Sequence, residues 1–183
     1  RRAYDVKALS PEGAHVLVVI DSDDGMSMAA VNLGESGVVR TLHSVDRAYL
    51  ERAAFGYHPL GWFSENQCVF AISGWQNGGP NKGRRGVAVL TGDVGSGRSS
   101  EVAFIPLPQG LLRSAAFDRR SGKVQVTVTS AIWECDVNTG KTRLFKGGLP
   151  VYDGLFRSRR SPDGRHYVYE LFEKGAAGIF ILD

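Results

Sequence analysis

The segment SPEGAHVLVV, residues 10–19, returns near the other end of the chain as SPDGRHYVYE, residues 161–170. Two looser copies stand between them. Anchored on the residue that opens each turn, the four stretches are KALSPEGAHVLVVI at Ser10, LGWFSENQCVFAI at Ser64, SAAFDRRSGKVQVTVT at Asp118 and RSRRSPDGRHYVYEL at Ser161, with spacings of 54, 54 and 43 residues. Ser or Asp at the first turn position hydrogen-bonds nearby backbone, Pro presets φ at the next, and Gly accepts positive φ. Each stretch therefore reads as a short strand, a polar turn and a second, alternating strand.

A further apolar segment follows each pair: SMAAVNL (27–33), GVAVLTG (86–92), AIWECDV (131–137) and GIFILD (178–183). In the first three units a glycine-containing turn and a fourth segment come next, in GESGVVRTL, GDVGSGRSSEVAFI and VNTGKTRLF. A lone four-stranded antiparallel sheet with two apolar faces must cover both, and radial stacking of such sheets gives a β-propeller. The expected fold is therefore all-β, a propeller of about four four-stranded blades over residues 1–45, 46–108, 109–148 and 149–183, forming one domain or a propeller fragment. Residue 183 falls where a third strand ends, so the last blade is expected to be incomplete and the chain to be part of a larger ring.

The phrase S-P-D-G-R-x-hydrophobic-x-hydrophobic at 161–169, the strand ending in I-x-x-x-D at 179–183 and N-T-G-K-T-R-L-F at 138–145 resemble the WD-like repeats of TolB-type propellers. The resemblance covers essentially the whole chain. It departs from the family pattern at S-E-N-Q in the second unit and D-R-R-S-G in the third, and no Trp-Asp dipeptide occurs. It implies a propeller and an extracytoplasmic (periplasmic or secreted) location.

Composition agrees with many tight turns: 23 of the 183 residues are Gly and 43% are apolar. Twenty-two basic against 19 acidic residues leave +3, an excess too small for strong counterion-release binding, so no nucleic-acid partner is expected. No apolar run approaches the ~20 residues that span a bilayer. Cys68 and Cys135, the two cysteines, lie in apolar alternation and read as buried hydrophobes rather than a disulfide. The chain opens RRAYDV without an initiator Met or signal core, which reads as a processed, trimmed or internal start.

The longest break in the repeat is SGWQNGGPNKGRRG, residues 73–86, between the second and third strands of unit two. Rigid scaffolds carry function on such loops. Trp75, Asn77, Lys82, Arg84 and Arg85 are the candidate ligand- or partner-binding residues, an exposed Trp beside guanidinium groups being suited to stacking on a sugar or base or to anchoring a protein. The competing reading is a solvated loop whose Trp folds back on its blade.

Other motifs point to structure. GGPNKG and GDVGSG do not match a phosphate-binding loop, because Gly83 follows Lys82. DSDDG at 21–25 lacks calcium-loop spacing and reads as an acidic hairpin turn. His15 and His166 occupy matching structural slots, His43 and His58 are scattered, and no zinc spacing or G-x-S-x-G elbow occurs, so neither metal nor cofactor nor catalytic residue is assigned. Trp62, Phe63, Phe117, Trp133, Tyr167, Tyr169 and Phe180 read as packing between blades, and RSRRSPDGR (157–165) as a solvated basic face.

These features favour a non-enzymatic binding or scaffolding module that engages a protein or carbohydrate through loops on one face. The alternative is the gating propeller of a larger prolyl-oligopeptidase-like hydrolase. An unpaired edge or uncovered blade face would promote self-association or docking of the remaining blades.

Overall fold

The computed structural model describes residues 2–34, 37–53, 55–76, 81–107, 112–128, 131–148, 156–160, 166–173 and 176–182, and the side chains of these except 2–8, 51–53, 156–160, 167–173 and 176–182. Strands β1 (Arg2–Leu9), β2 (His15–Ser22), β3 (Gly25–Asn32) and β4 (Val39–Asp46) form the first sheet. A second contains β5 (Gly56–Trp62), β6 (Gln67–Trp75), β7 (Arg85–Asp93) and β8 (Arg98–Pro106). The third holds β9 (Leu112–Asp118), β10 (Lys123–Val128), β11 (Ala131–Asp136) and β12 (Thr142–Lys146). β13 (Phe156–Arg160), β14 (Tyr167–Glu173) and β15 (Ala176–Leu182) make a three-stranded fourth sheet among the described residues.

Within every sheet the strands pair antiparallel in chain order. The first strand of each sheet lies beside the first strand of the next: β1 by β5, β5 by β9, β9 by β13. That arrangement sets the innermost strands around a shared axis and makes the sheets blades of a β-propeller. No comparable adjacency joins β13 to β1 among the described residues, so the four blades form an arc.

Blade two explains why the blades stack. In β6 the run Cys68-Val69-Phe70-Ala71-Ile72 is buried throughout. Alternation sends Cys68, Phe70 and Ile72 into a core shared with Leu17, Val19, Met28 and Ala30 of blade one. Val69 and Ala71 point the other way, to Val124, Val126 and Cys135 of blade three. Burying a side chain such as Phe70 contributes roughly 1.5–3 kcal/mol. The two cysteines thus serve different interfaces, both as free buried thiols whose pKa burial pushes up, to about 12 for Cys68 and about 11 for Cys135.

One bulge sets the alignment of β5. Its register against β6 shifts between Pro59 and Gly61, which lets Tyr57 and Trp62, an odd number of residues apart, enter the same core. Pro59 is tolerated because β5 is the inner edge of its sheet.

The sequence reading did not anticipate the short helix α1 (Arg47–Ala53), which connects blade one to blade two. Asp46 caps it, its Oδ1 accepting from the Tyr49 N–H at 2.7 Å. Tyr49 and Leu50 pack on the first core, and the Arg47 guanidinium donates to the Asp21 carboxylate and the Ser22 carbonyl. The DSDDG segment is a two-residue hairpin in which Asp23 and Asp24 are exposed and Gly25 is obligatory, since a Cβ there would meet the Val45 carbonyl oxygen at 2.1 Å.

Two turns that depart from S-P-D-G clasp the preceding blade. Where the first and last units have Pro, the second has Glu65 and the third Arg119. The Glu65 carboxylate accepts from the Ser10 hydroxyl and, at 2.8 Å, from the Glu12 N–H, and lies 3.3 Å from His15 Nδ1. His15 also stacks on Trp62. Arg119 Nε donates to the Phe63 carbonyl at 3.1 Å, and Phe63 packs against Phe117. The turn of the last unit, 161–165, lies outside the described residues.

On the far face of blade one Val18 and Ala29 are buried, but an apolar row at its end is left partly exposed. Leu9, Val16, Val31 and Val39 are directly opposed in turn across β1 to β4 and so share a face, the one turned away from blade two. Leu9 is 62% and Val39 47% exposed.

The Ser10 hydrogen bond, reinforced by those from Glu12 and His15, holds the Glu65 carboxyl below its ordinary 4.5 against a smaller opposing effect of burial. A carboxylate with a depressed folded-state pKa stabilises the fold above its unfolded pKa and loses that effect as pH falls through the folded one. Glu65→Gln should therefore lower the melting temperature by a few degrees at pH 7, and the gap to wild type should close as the pH falls below 4.5. Thermal melts followed by circular dichroism across that range check it; a gap that persists at low pH would show that the ionised carboxylate is not what holds the two turns together.

Candidate functional site

Antiparallel chain order separates the connections by end. The first-to-second and third-to-fourth turns of each blade lie at one end of the arc. The second-to-third turns and the crossings to the next blade lie at the other. The Glu65 and Arg119 clasps occupy the first end. Residues 76–84 and α1 share the second.

Trp75 closes β6 and is 47% exposed. Among the described residues it is the one large apolar side chain so exposed at its end, since Leu9, Leu33, Val38 and Val39 belong to the opposite end of blade one and Leu144 to the body of β12. The loop beyond it is tightly closed. Gln76 N–H donates to the Arg84 carbonyl and Gly83 N–H to the Gln76 carbonyl, both at 2.9 Å, and Arg84 N–H to the Asn81 carbonyl at 3.0 Å. Buried Asn81 donates to Glu101 at 2.6 Å and accepts from Arg84 Nη1 at 2.8 Å. The Arg84 guanidinium lies 4.9 Å over the Phe104 ring. Arg84 is thereby turned down onto the outer strand as a brace for the loop.

Of the remaining candidates, Lys82 is exposed at the tip and Asn77 lies outside the described residues. Arg85 begins β7 directly opposite Trp75. It is half-buried, and among the described residues its guanidinium makes no ion pair or hydrogen bond.

Strand register adds two residues that the sequence reading passed over. Ser73, two positions before Trp75, shares its face, the face on which Val69, Ala71, Val87 and Val89 meet blade three. His58 is paired with Ala71 and hence lies on that face too, its Nε2 2.8 Å from Ser73 Oγ. Gly56, opposite Ser73, leaves room for this pair: a Cβ there would stand 3.2 Å from Ser73 Oγ and 3.3 Å from His58 Nε2. Trp75, Arg85, Ser73 and His58 thus form a rim above the core between blades two and three. The position of Trp75 two residues past Ser73 was a sequence signal for Ser73; nothing local announced His58, because its placement depends on the β5 bulge.

The remaining polar clusters brace the fold. His43 Nδ1 lies 2.6 Å from the Tyr57 hydroxyl in the first core, and burial lowers the His43 pKa while raising that of Tyr57. Burial raises the Glu134 pKa, but the hydrogen bond and charge of Lys123, with those of Arg143, hold it below the ordinary value overall. Among the described residues no three His, Cys, Asp or Glu side chains group as metal ligands, and no helix is long and apolar enough to cross a membrane.

The division of labour within the loop is testable by thermal denaturation. Arg84→Ala removes the Phe104 contact and the Asn81 bond and should destabilise by roughly 1 kcal/mol. Lys82→Ala should leave stability unchanged. Equal effects would contradict the bracing role of Arg84.

A scan against protein-family models and a search of the curated proteins found no match. Solved structures do match. TolB from Acinetobacter baumannii is 15% identical over 100% of this chain, with a TM-score of 0.62, and the putative TolB from Agrobacterium tumefaciens is 10% identical over 99%, also at 0.62. An oligogalacturonate lyase in complex with manganese is 15% identical over 96% at 0.56. The chain spans 41%, 61% and 49% of those three chains. At such identities the likeness concerns the fold alone, and the chain has the fold of a TolB-like β-propeller.

Proposed function

We propose that this chain is a non-enzymatic binding module, a propeller arc that engages a carbohydrate or protein ligand at the rim of blade two. The observation that carries the reading is the exposed Trp75 ring set opposite the Arg85 guanidinium, which has no partner among the described residues, with the Ser73–His58 pair on the same face. A flat apolar surface, a cation and a hydrogen-bonding pair converging on one face are what a small recognition site needs. Rigid strands position all four side chains, so little ordering entropy opposes binding. Likeness to TolB structures supports a scaffold of this type and, with it, an extracytoplasmic setting.

Binding can be measured by interferometry against immobilised neutral and acidic oligosaccharides and acidic and basic peptides. A ligand found in this way should lose at least about tenfold in affinity with Trp75→Ala and again with Arg85→Ala. Unchanged affinity in both variants would remove the rim from the function.

The partly exposed end row on the far face of blade one belongs, in the same reading, to a contact with another four-stranded blade of the ring. This Leu9–Val16–Val31–Val39 row offers the apolar chemistry that Val69, Ala71, Val87 and Val89 of blade two bury against blade three. The similar TolB chains are longer than this one, which leaves room for further blades. The 183-residue chain alone should accordingly self-associate with concentration in light scattering, and the double variant Leu9→Lys, Val39→Lys should suppress this. A monomer at all concentrations would speak against a docking face.

A further inference from the structure

We infer that the ligand of the blade-two rim is a sugar bearing a carboxylate, a uronic acid unit, with its ring on Trp75 and its carboxylate on Arg85. The inference rests on the reading of the rim as a binding site and specifies what it takes.

Arg85 supplies the first argument. Arg85 is only partly exposed, and among the described residues its guanidinium has no anionic partner, which leaves its donors available to one. Other charged side chains nearby are satisfied internally: Glu101 accepts from Asn81, which in turn holds Arg84. The planar fork of Arg matches a carboxylate with two parallel hydrogen bonds.

Trp75 supplies the second. It stands alone as a large exposed apolar side chain at this end among the described residues. A protein-binding hot spot would need apolar neighbours to exclude water around it, whereas the described residues that register places beside Trp75 are Arg85 across the ladder and Ser73 on the same face. One aromatic face ringed by hydrogen-bonding groups suits a ligand with an apolar face and hydroxyl edges, which describes a sugar ring.

Spacing supplies the third. Directly opposed residues such as Trp75 and Arg85 hold their Cβ atoms about 5 Å apart, and Ser73 follows at about 7 Å along the strand. One monosaccharide can therefore cover the indole, reach Arg85 with its carboxylate and present a hydroxyl to Ser73 Oγ, which His58 Nε2 already contacts at 2.8 Å.

Isothermal titration with trigalacturonate, its fully methyl-esterified form and neutral galactotriose tests this. Wild type should bind trigalacturonate on the order of tenfold or more tighter than the two uncharged sugars. Arg85→Gln should erase that preference while leaving weak binding of all three, Arg85→Lys should keep part of it, and Trp75→Ala should weaken all three sugars together. Melting curves confirm that each variant is folded, and Arg85→Lys serves if Arg85→Gln is not. Equal binding of charged and uncharged sugars, or a preference that survives Arg85→Gln, would overturn the inference yet leave a Trp75-dependent binding rim in place. Trp75-dependent binding of peptides but of no sugar would also overturn it, and loss of binding to every probe would overturn the rim itself.

Discussion

A pleated sheet that is apolar on both faces cannot remain alone in water, and the central sheet of this chain is such a sheet. Five consecutive buried residues in β6 send Cys68, Phe70 and Ile72 one way and Val69 and Ala71 the other. Each face demands a neighbour, and each neighbour inherits the same demand on its own far side. Chain order then makes the stacking radial, because the first strand of every blade is placed beside the first strand of the next. On the far face of blade one that demand is met at Val18 and Ala29 but not at Leu9 and Val39.

Hydrophobic contact specifies that blades stack but is non-directional. The turns supply direction. Glu65 and Arg119 stand where other copies of the turn carry Pro, and each reaches back to the preceding blade, one to Ser10, Glu12 and His15, the other to the Phe63 carbonyl. What looks in the repeat like decay of the S-P-D-G phrase is thus a set of polar latches at one end of the arc. Their concentration there leaves the opposite end free to carry a site whose groups are not engaged in holding blades together.

At that opposite end the loop after Trp75 divides into a structural and a presenting part. Arg84, Asn81, Glu101 and Phe104 form a closed set of contacts that pins the loop to β8. Trp75 and Arg85 stand on strand ends, where the ladder between β6 and β7 holds them opposite one another. Groups on strands keep their spacing better than groups on loops, which is what the proposed binding rim requires.

Local alternation and turn chemistry were sufficient to read four β units and their stacking, because those signals depend only on neighbours in sequence, but the break expected over 73–86 is narrower: Ser73–Trp75 end β6 and Arg85–Gly86 begin β7. The same signals were sufficient too for the burial of Cys68 and Cys135 and for the inter-blade packing of Trp62, Phe63 and Phe117. Helix α1 escaped notice because seven residues carry too little periodicity to stand out, its cap and its contacts being what stabilise it. Which side chains share a face across two strands is another kind of question. A single bulge between Pro59 and Gly61 reverses the facing of every residue beyond it, so only the folded register could bring His58 to Ser73, put both beside Trp75 and Arg85, and turn Arg84 away onto Phe104.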